Sequence, residues 1–590
     1  MVCRRPRPGG GTRVFSLARG TLRTPRGRPR SAGRATPRRA PAGLTVSSMT
    51  EPSQRTGLPS GADVVFVGAG HNALVAAAYL LDAGRSVCLL DRAPRPGGWV
   101  DTAELGAPGF LHDRWSAVHP AFVGGPVWAE LGPELRRHGL EYVTAPLATG
   151  SSLPDGRAAV VPVDQEAFAA ELDRLGETDG WAALFDAVSP QLPALLGLFG
   201  DGLDNPEAEA ALAGLIRDSR HSAVPFDRLL TDSAVGVSRA FFQTEELRSV
   251  AVPWPLHFGA GPEAPGGALW AVFALVALAA GVPAPIGGSG RLTDALVGLV
   301  AERGGTVHCD TDVDEVLVRD GRAAAVRTLA GAVVTAAEAV VVTSTPDQLY
   351  GRLLRDTPGI PAGVRAQAAG YRFRRGCFQM AVSLSARPRF VDSRLDAGGA
   401  LNLGRGIGEL VTSVRHAEAG LLPRHPSIAW HEPTAVDPTR APEGQAVVRL
   451  QVLDVPHTPI GDAAGSAYGT KGWDAATAEA FADRVLVEAE EHVPGVTGLV
   501  LERHITTPAD LASTSPNVGP GDHAGGDNSL AQALTRRPVP AHAGGHRTLV
   551  PGAWLIGAAT WPGAAVSGAS GRAVARALMG GTAATVKQSG

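Results

Sequence analysis

Gly68-Ala69-Gly70-His71-Asn72-Ala73 and, further along, Asp91 are residues whose types and spacing suit dinucleotide chemistry. Gly68 permits a tight turn, Gly70 leaves room for a pyrophosphate against a helix N-terminus, and Ala73 lets helix and strand pack closely. The pattern is specific only between a strand and a helix, and both are predicted here. Ala62 to Val67 reads as a buried strand, and Asn72 to Ala83 as a helix with Leu74, Val75, Ala78 and Leu81 on one stripe and Gly84 as its stop. Ser86 to Leu90 follows as a second strand, which places the Asp91 carboxylate where ribose hydroxyls are bound in such folds. A second match, Gly259-Ala260-Gly261-Pro262-Glu263-Ala264, has Pro253, Pro255 and Pro265 around it, so it is expected to be a loop and not a nicotinamide-binding turn.

Two further segments narrow the ligand. Asp91-Arg92-Ala93-Pro94-Arg95-Pro96-Gly97-Gly98 combines an acid, an arginine and a glycine pair whose backbone tolerates close approach. Near the other end, Trp554-Leu555-Ile556-Gly557-Ala558-Ala559-Thr560-Trp561-Pro562-Gly563-Ala564-Ala565-Val566-Ser567-Gly568 is again a strand, a Gly-rich turn and a helix start, able to aim backbone N–H groups at an electron-rich ligand. Two such turns suit one long ligand.

Together these segments resemble the FAD-dependent phytoene desaturase and amine oxidase superfamily. The resemblance implies FAD as cofactor, with Arg95 approaching the pyrophosphate, Gly97 and Gly98 close to the cofactor, the Val313 backbone on the adenine, and Gly557, Ala558, Ala565 and Val566 closing on the isoalloxazine. Asp91 stands for the more usual Glu, and Ala564 and Ala565 for two of the usual glycines. Gly287-Gly288-Ser289-Gly290-Arg291-Leu292, the Asp320-Gly321 turn, Asn517, Gly521 and Arg537-Pro538 resemble less specific stretches of the same proteins. Over most of residues 61–580 the order of motifs is similar to the branch called pyridine nucleotide-disulfide oxidoreductase domain-containing protein 2. That title does not suit this chain, because Cys3, Cys88, Cys309 and Cys377 include no neighbouring redox pair.

The elements that must position these motifs predict an α/β fold, a Rossmann-like FAD-binding domain with an inserted mixed α+β substrate domain. The expected division is an Arg-rich lead over 1–60, FAD-binding stretches at 61–150, 285–349 and 545–590, and substrate-domain stretches at 151–284 and 350–544. Gln165 to Leu175 and Asp204 to Asp218 read as helices, and Thr306–Cys309, Val313–Arg319, Ala323–Leu329, Ala339–Thr343 and Ala553–Ile556 as strands. Gly568 to Met579 reads as a closing helix.

Composition sets the outer limits. At 590 residues, with 44% hydrophobic and 19% charged side chains, the chain is too long for one small core and too apolar for global disorder. Residues 1–48 hold twelve arginines and no acid, so residues 49–590 are net acidic, a poor surface for nucleic acid. The Arg-rich start reads as an upstream extension before Met49 or as a transit peptide, which sets a cytoplasmic expectation against a mitochondrial matrix one. The apolar run Ala268 to Ala280 is short for a membrane span and reads as a buried core helix, with peripheral membrane contact and a homodimer as open alternatives. His257, His308 and His504 lack metal-ligand spacing, so no metal is expected.

The expected activity is FAD-dependent oxidation of a C–C or C–N bond in a hydrophobic small-molecule substrate by hydride transfer to flavin. Oxygen, a quinone or NAD(P) would act as acceptor. No catalytic side chain is identified. His112, Asp113, Trp115 and His119 follow the flavin signature but read as structural, and Lys471 and Lys587 are the only lysines, neither placed for amine-oxidase chemistry. A non-enzymatic flavoprotein and an NADPH-dependent flavin reductase are the alternatives.

Overall fold

The computed structural model describes residues 57–199, 203, 206–278 and 281–580, so the Arg-rich start and the extension or transit-peptide readings of it lie outside the described residues. Short β-branched runs ending in glycine build the first sheet. Gly61–Val67 lies at its centre, parallel to Val87–Leu90 on one side and to Val333–Val342 on the other. Thr306–His308 extends the sheet beyond Val87–Leu90, and the hairpin of Val313–Arg319 and Arg322–Thr328 extends it beyond the start of Val333–Val342. Ala553–Leu555 then pairs in parallel with the end of Val333–Val342, on the side away from Gly61–Val67, so the last strand of the described residues joins the same sheet as the first. Val64, Val65 and Phe66 are fully buried because both faces of this sheet are covered.

Helix His71–Asp82 covers one face and is flanked by Gly290–Glu302 and Ala569–Leu578. Ala569–Leu578 lies so close to His71–Asp82 that a Cβ on Gly571 would run into the Asn72 carbonyl, which a side chain at that position would prevent. On the other face, Val65, Val340 and Val342 pack with Leu349, Tyr350 and Leu353.

A second sheet runs in the order Val500–Thr506, Gly376–Leu384, Ala446–Val455, Ile428–His431, Ala400–Leu403, Leu147–Ser152 and Ala158–Pro162. It is antiparallel except between Ala400–Leu403 and Leu147–Ser152. Alternation along its strands splits its faces. Phe378, Met380, Val382, Leu450 and Trp430 form an apolar side against Phe481 and Val485 of helix Ala475–Glu490. Gln379, Ser383, Gln451 and His431 are also buried, and the register pairs Gln379 with Gln451 and His431 with Arg449. Leu147–Ser152 crosses the expected boundary at residue 150; the bend at Pro146 starts the second-sheet strand earlier. Val333–Val342 is longer than expected, because its Thr- and Ala-rich first half still finds partners in Gly61–Val67 and Arg322–Thr328.

The apolar run forms helix Gly267–Leu278, with Ala268, Trp270, Ala271 and Leu278 buried, so it belongs to the core. No helix among the described residues is long and apolar enough to cross a membrane.

Candidate functional site

Gly68 ends the first strand at φ +99°, a conformation that L side chains resist, and a Cβ there would collide with the Thr343 hydroxyl. The Gly68 N–H donates to the Leu90 carbonyl at 2.7 Å, which turns the chain toward helix His71–Asp82. Gly70 stands just ahead of that helix, and a Cβ placed on it meets none of the described atoms within 4 Å. Ala73, fully buried, gives the close helix–sheet packing its size predicts. Asp91 follows the second strand; its carboxylate accepts from the Ala69 N–H at 2.6 Å and the Ala93 N–H at 2.8 Å. Burial raises the Asp91 carboxyl, and these two donors oppose the rise. Asp91 therefore ties the glycine turn to the segment after it.

That segment folds back onto the turn. The Gly97 N–H donates to the Ala69 carbonyl at 2.9 Å, and the Cβ position of Gly98 lies 3.4 Å from the Gly70 Cα. Arg95 forms an ion pair with Asp101 at 3.2 Å and is half exposed. Val313 begins its strand, and its carbonyl accepts from Arg352 at 2.7 Å.

The C-terminal motif arrives at the same place. Gly557 follows Ala553–Leu555 at φ +103°, its N–H donates to the Ser570 hydroxyl at 3.0 Å, and a Cβ on it also meets none of the described atoms within 4 Å. The Ala558 carbonyl accepts from Arg537 at 2.5 Å, and Arg537, fully buried, also donates to the Asp527 carbonyl at 2.8 Å. Burial pushes the His71 pKa down to about 4, and the neighbouring Ala565 backbone opposes that fall. Head and tail are thus joined at the turn, with Val566 packed on the helix core beside them. Asn72, buried in the first helical turn, has an Oδ1 without a partner. Open backbone at Gly70 and Gly557, an orphaned polar atom at the helix start and two turns in contact fit an extended dinucleotide.

Beyond the tail turn the surroundings are aromatic. Trp561 packs against Phe199 at 5.2 Å and Trp270 at 5.8 Å between ring centres, and Phe258 stacks on Trp270 at 5.3 Å. Trp99 and Trp115 pair at 4.9 Å just after the Gly97-Gly98 turn. The second sheet reaches this pair: Gln379 donates to the Arg114 carbonyl at 2.5 Å and Arg449 to the Trp115 carbonyl. His112 meets Ser383 at 3.2 Å, and burial, followed by the Arg440 charge, lowers its pKa to about 4. Asp113 pairs with Arg440 at 3.0 Å, both buried. His119 meets the Tyr142 hydroxyl at 3.0 Å, and burial lowers its pKa to about 3. Each of these three is thus buried and held by a partner from another part of the chain.

Gly259 to Ala264 is a loop between helices Trp254–His257 and Gly267–Leu278. Among the described residues no three His, Cys, Asp or Glu side chains gather as a metal site. Sequence reasoning missed Arg449, Gln379, Gln451, the aromatic group around Trp561 and the approach of Ala565 to His71. No local pattern marks them, since their partners lie on other elements, from 12 positions away for Phe258 and Trp270 to 334 for Arg449 and Trp115.

Known proteins are similar to this chain in sequence and in fold. The profile of the flavin containing amine oxidoreductase family matches residues 74–452. Pyridine nucleotide-disulfide oxidoreductase domain-containing protein 2 of Mus musculus is 27% identical over 88% of this chain and 93% of its own length. The neurosporene-forming phytoene desaturase of Rhodobacter capsulatus is 26% identical over 85% of this chain and 90% of its own. The structure of putrescine oxidase bound to putrescine superposes with a TM-score of 0.54 at 14% identity, over 88% of this chain and 99% of that one, a likeness of fold. The chain belongs to the flavin containing amine oxidoreductase family and is an FAD-dependent oxidoreductase.

Proposed function

We propose that this oxidoreductase converts a C–C or C–N single bond of an apolar organic substrate to its unsaturated form, with the second sheet and its flanking helices forming the substrate layer. The observation that carries the reading is the aromatic group of Phe199, Phe258, Trp270 and Trp561 against the tail turn. Bound FAD would supply the two-electron acceptor for a hydride leaving the substrate. Gly68, Gly70, Asp91, Gly97 and Gly98 would hold its nucleotide half, and Gly557, Ala558, Ala565 and Val566 the other. Arg95, half exposed and paired with Asp101, would turn to the pyrophosphate, and the Val313 backbone would meet the adenine. The aromatic rings would orient an apolar substrate and exclude water, which is the protein's main task where the cofactor carries the redox step.

Lys471, the only lysine among the described residues, is exposed on a loop, and this favours desaturation over amine oxidation. Anaerobic mixing with matched alkenes, polyenes and amines, followed at the flavin absorption band, tests the reading. Bleaching by an unsaturable hydrocarbon or an amine is expected. Bleaching by NADPH alone would make the protein a reductase, and a flavin that no organic donor reduces would make it a non-enzymatic flavoprotein.

A further inference from the structure

Two arginines of the second-sheet region donate to carbonyls of the segment 111–115 and differ in one respect. Arg440 has a carboxylate partner, Asp113 at 3.0 Å, and its Nε donates to the Leu111 carbonyl at 3.1 Å. Arg449, on strand Ala446–Val455, forms no ion pair with any described residue. One of its N–H groups reaches the Trp115 carbonyl, while its Nε is sealed from water with no acceptor. The acid that acts on it most is Asp113, which Arg440 already neutralises. Its cross-strand neighbour His431 likewise has a buried Nδ1 without a partner, and burial keeps that ring neutral. An arginine stays charged in any protein interior, and a buried charge without a counter-charge is strongly unfavourable. As a whole residue Arg449 is nevertheless less enclosed than Gln379, Gln451 and Ser383 around it.

We propose that Arg449 is the anion-binding residue of the substrate site and that the substrate is a carboxylic acid with an apolar body. A planar guanidinium matches a carboxylate in shape and charge, and one guanidinium balances one monoanion, whereas a phosphate dianion would need a second. The Trp99–Trp115 pair beside it offers apolar surface for the rest of the molecule. The assignment of this acid as substrate rests on the oxidoreductase reading above; the carboxylate site itself does not.

The test uses the FAD-loaded protein with octanoate, methyl octanoate and octylamine, read by the shift in thermal midpoint and by perturbation of the flavin band. Octanoate is expected to bind saturably, and the ester and amine at least about tenfold more weakly. Arg449→Gln is expected to lose about tenfold or more in octanoate affinity at unchanged flavin content, with Arg449→Lys between the two. Equal binding of octanoate and its ester by the wild type would overturn the proposal, and needs no variant to fold. So would Arg449→Gln that keeps full octanoate affinity, or that loses FAD instead. Octanoate binding without reduction by any donor would leave the carboxylate site standing and remove the oxidoreductase reading, whereas donors that bleach the flavin while octanoate fails to bind would do the reverse.

Discussion

The two sheets meet at one site and contribute to it in opposite ways. The parallel sheet works through what its turns lack: Gly70 and Gly557 carry no side chain, and a Cβ on either would stand in open space that a cofactor needs. The largely antiparallel sheet works through what its strands carry, with Gln379, Gln451, Arg449 and His431 set opposite the apolar side formed by Phe378, Met380 and Leu450. The first kind of region breaks when atoms are added, the second when charges are removed. The lesson is that one site can be open to sequence reading at one edge and closed to it at the other.

The largest effect is expected at Gly70. Gly70→Val should leave a folded protein with flavin at less than about a tenth of the wild-type ratio to protein, measured by absorbance of the purified chain, because a branched side chain occupies the pyrophosphate path. Retention of full flavin would show that the first sheet does not work by omission. On the other side of the comparison, Asp113→Ala strands Arg440 in the interior and should cost about 3–5 kcal/mol in denaturant unfolding. A loss below about 1 kcal/mol would mean that the pair is solvated and not buried.

A smaller loss, about 1–3 kcal/mol, is expected for Gly571→Ala, which forces Ala569–Leu578 away from His71–Asp82. Its flavin affinity should fall with its stability, since the same contact holds head to tail; normal affinity in a destabilised variant would separate the two. The smallest effect concerns pH. Burial holds His119 at about 3 in the folded state against about 6.5 when unfolded. The unfolded chain therefore takes up a proton first, so stability is full above pH 6.5 and falls as pH drops toward 3. Between pH 6.5 and 5 this one group should account for up to about 2 kcal/mol. His119→Gln should flatten the slope of unfolding free energy against pH, and an unchanged slope would place the ring in water.

The same contrast explains what could be read in advance. The β-α-β unit around Gly68 and Gly70 was legible because turn, helix and strand follow one another within one short segment, and the helix Gln165–Leu175 and strand Val313–Arg319 lie where periodicity puts them. The tail motif was legible for the same local reason. Its meeting with the head could be expected only from the ligand's length, and the structure supplies the contacts, His71 with Ala565 and Gly571 against Asn72. The second sheet resisted reading because Arg449 acquires its meaning from Trp115, His431 and Asp113, which adjoin it only through strand pairing and folded loops. Strand Leu147–Ser152 crossed an expected boundary for a related reason, its partner Ala400–Leu403 being remote in sequence.

The measurement that reaches the central claim most directly is hydrogen exchange of the flavin-free protein with and without added FAD, resolved by peptide. The account expects residues 66–76, 91–100 and 555–568 to gain protection together and at the same FAD concentration. Protection confined to the N-terminal turn, with the tail segment exchanging as before, would contradict it.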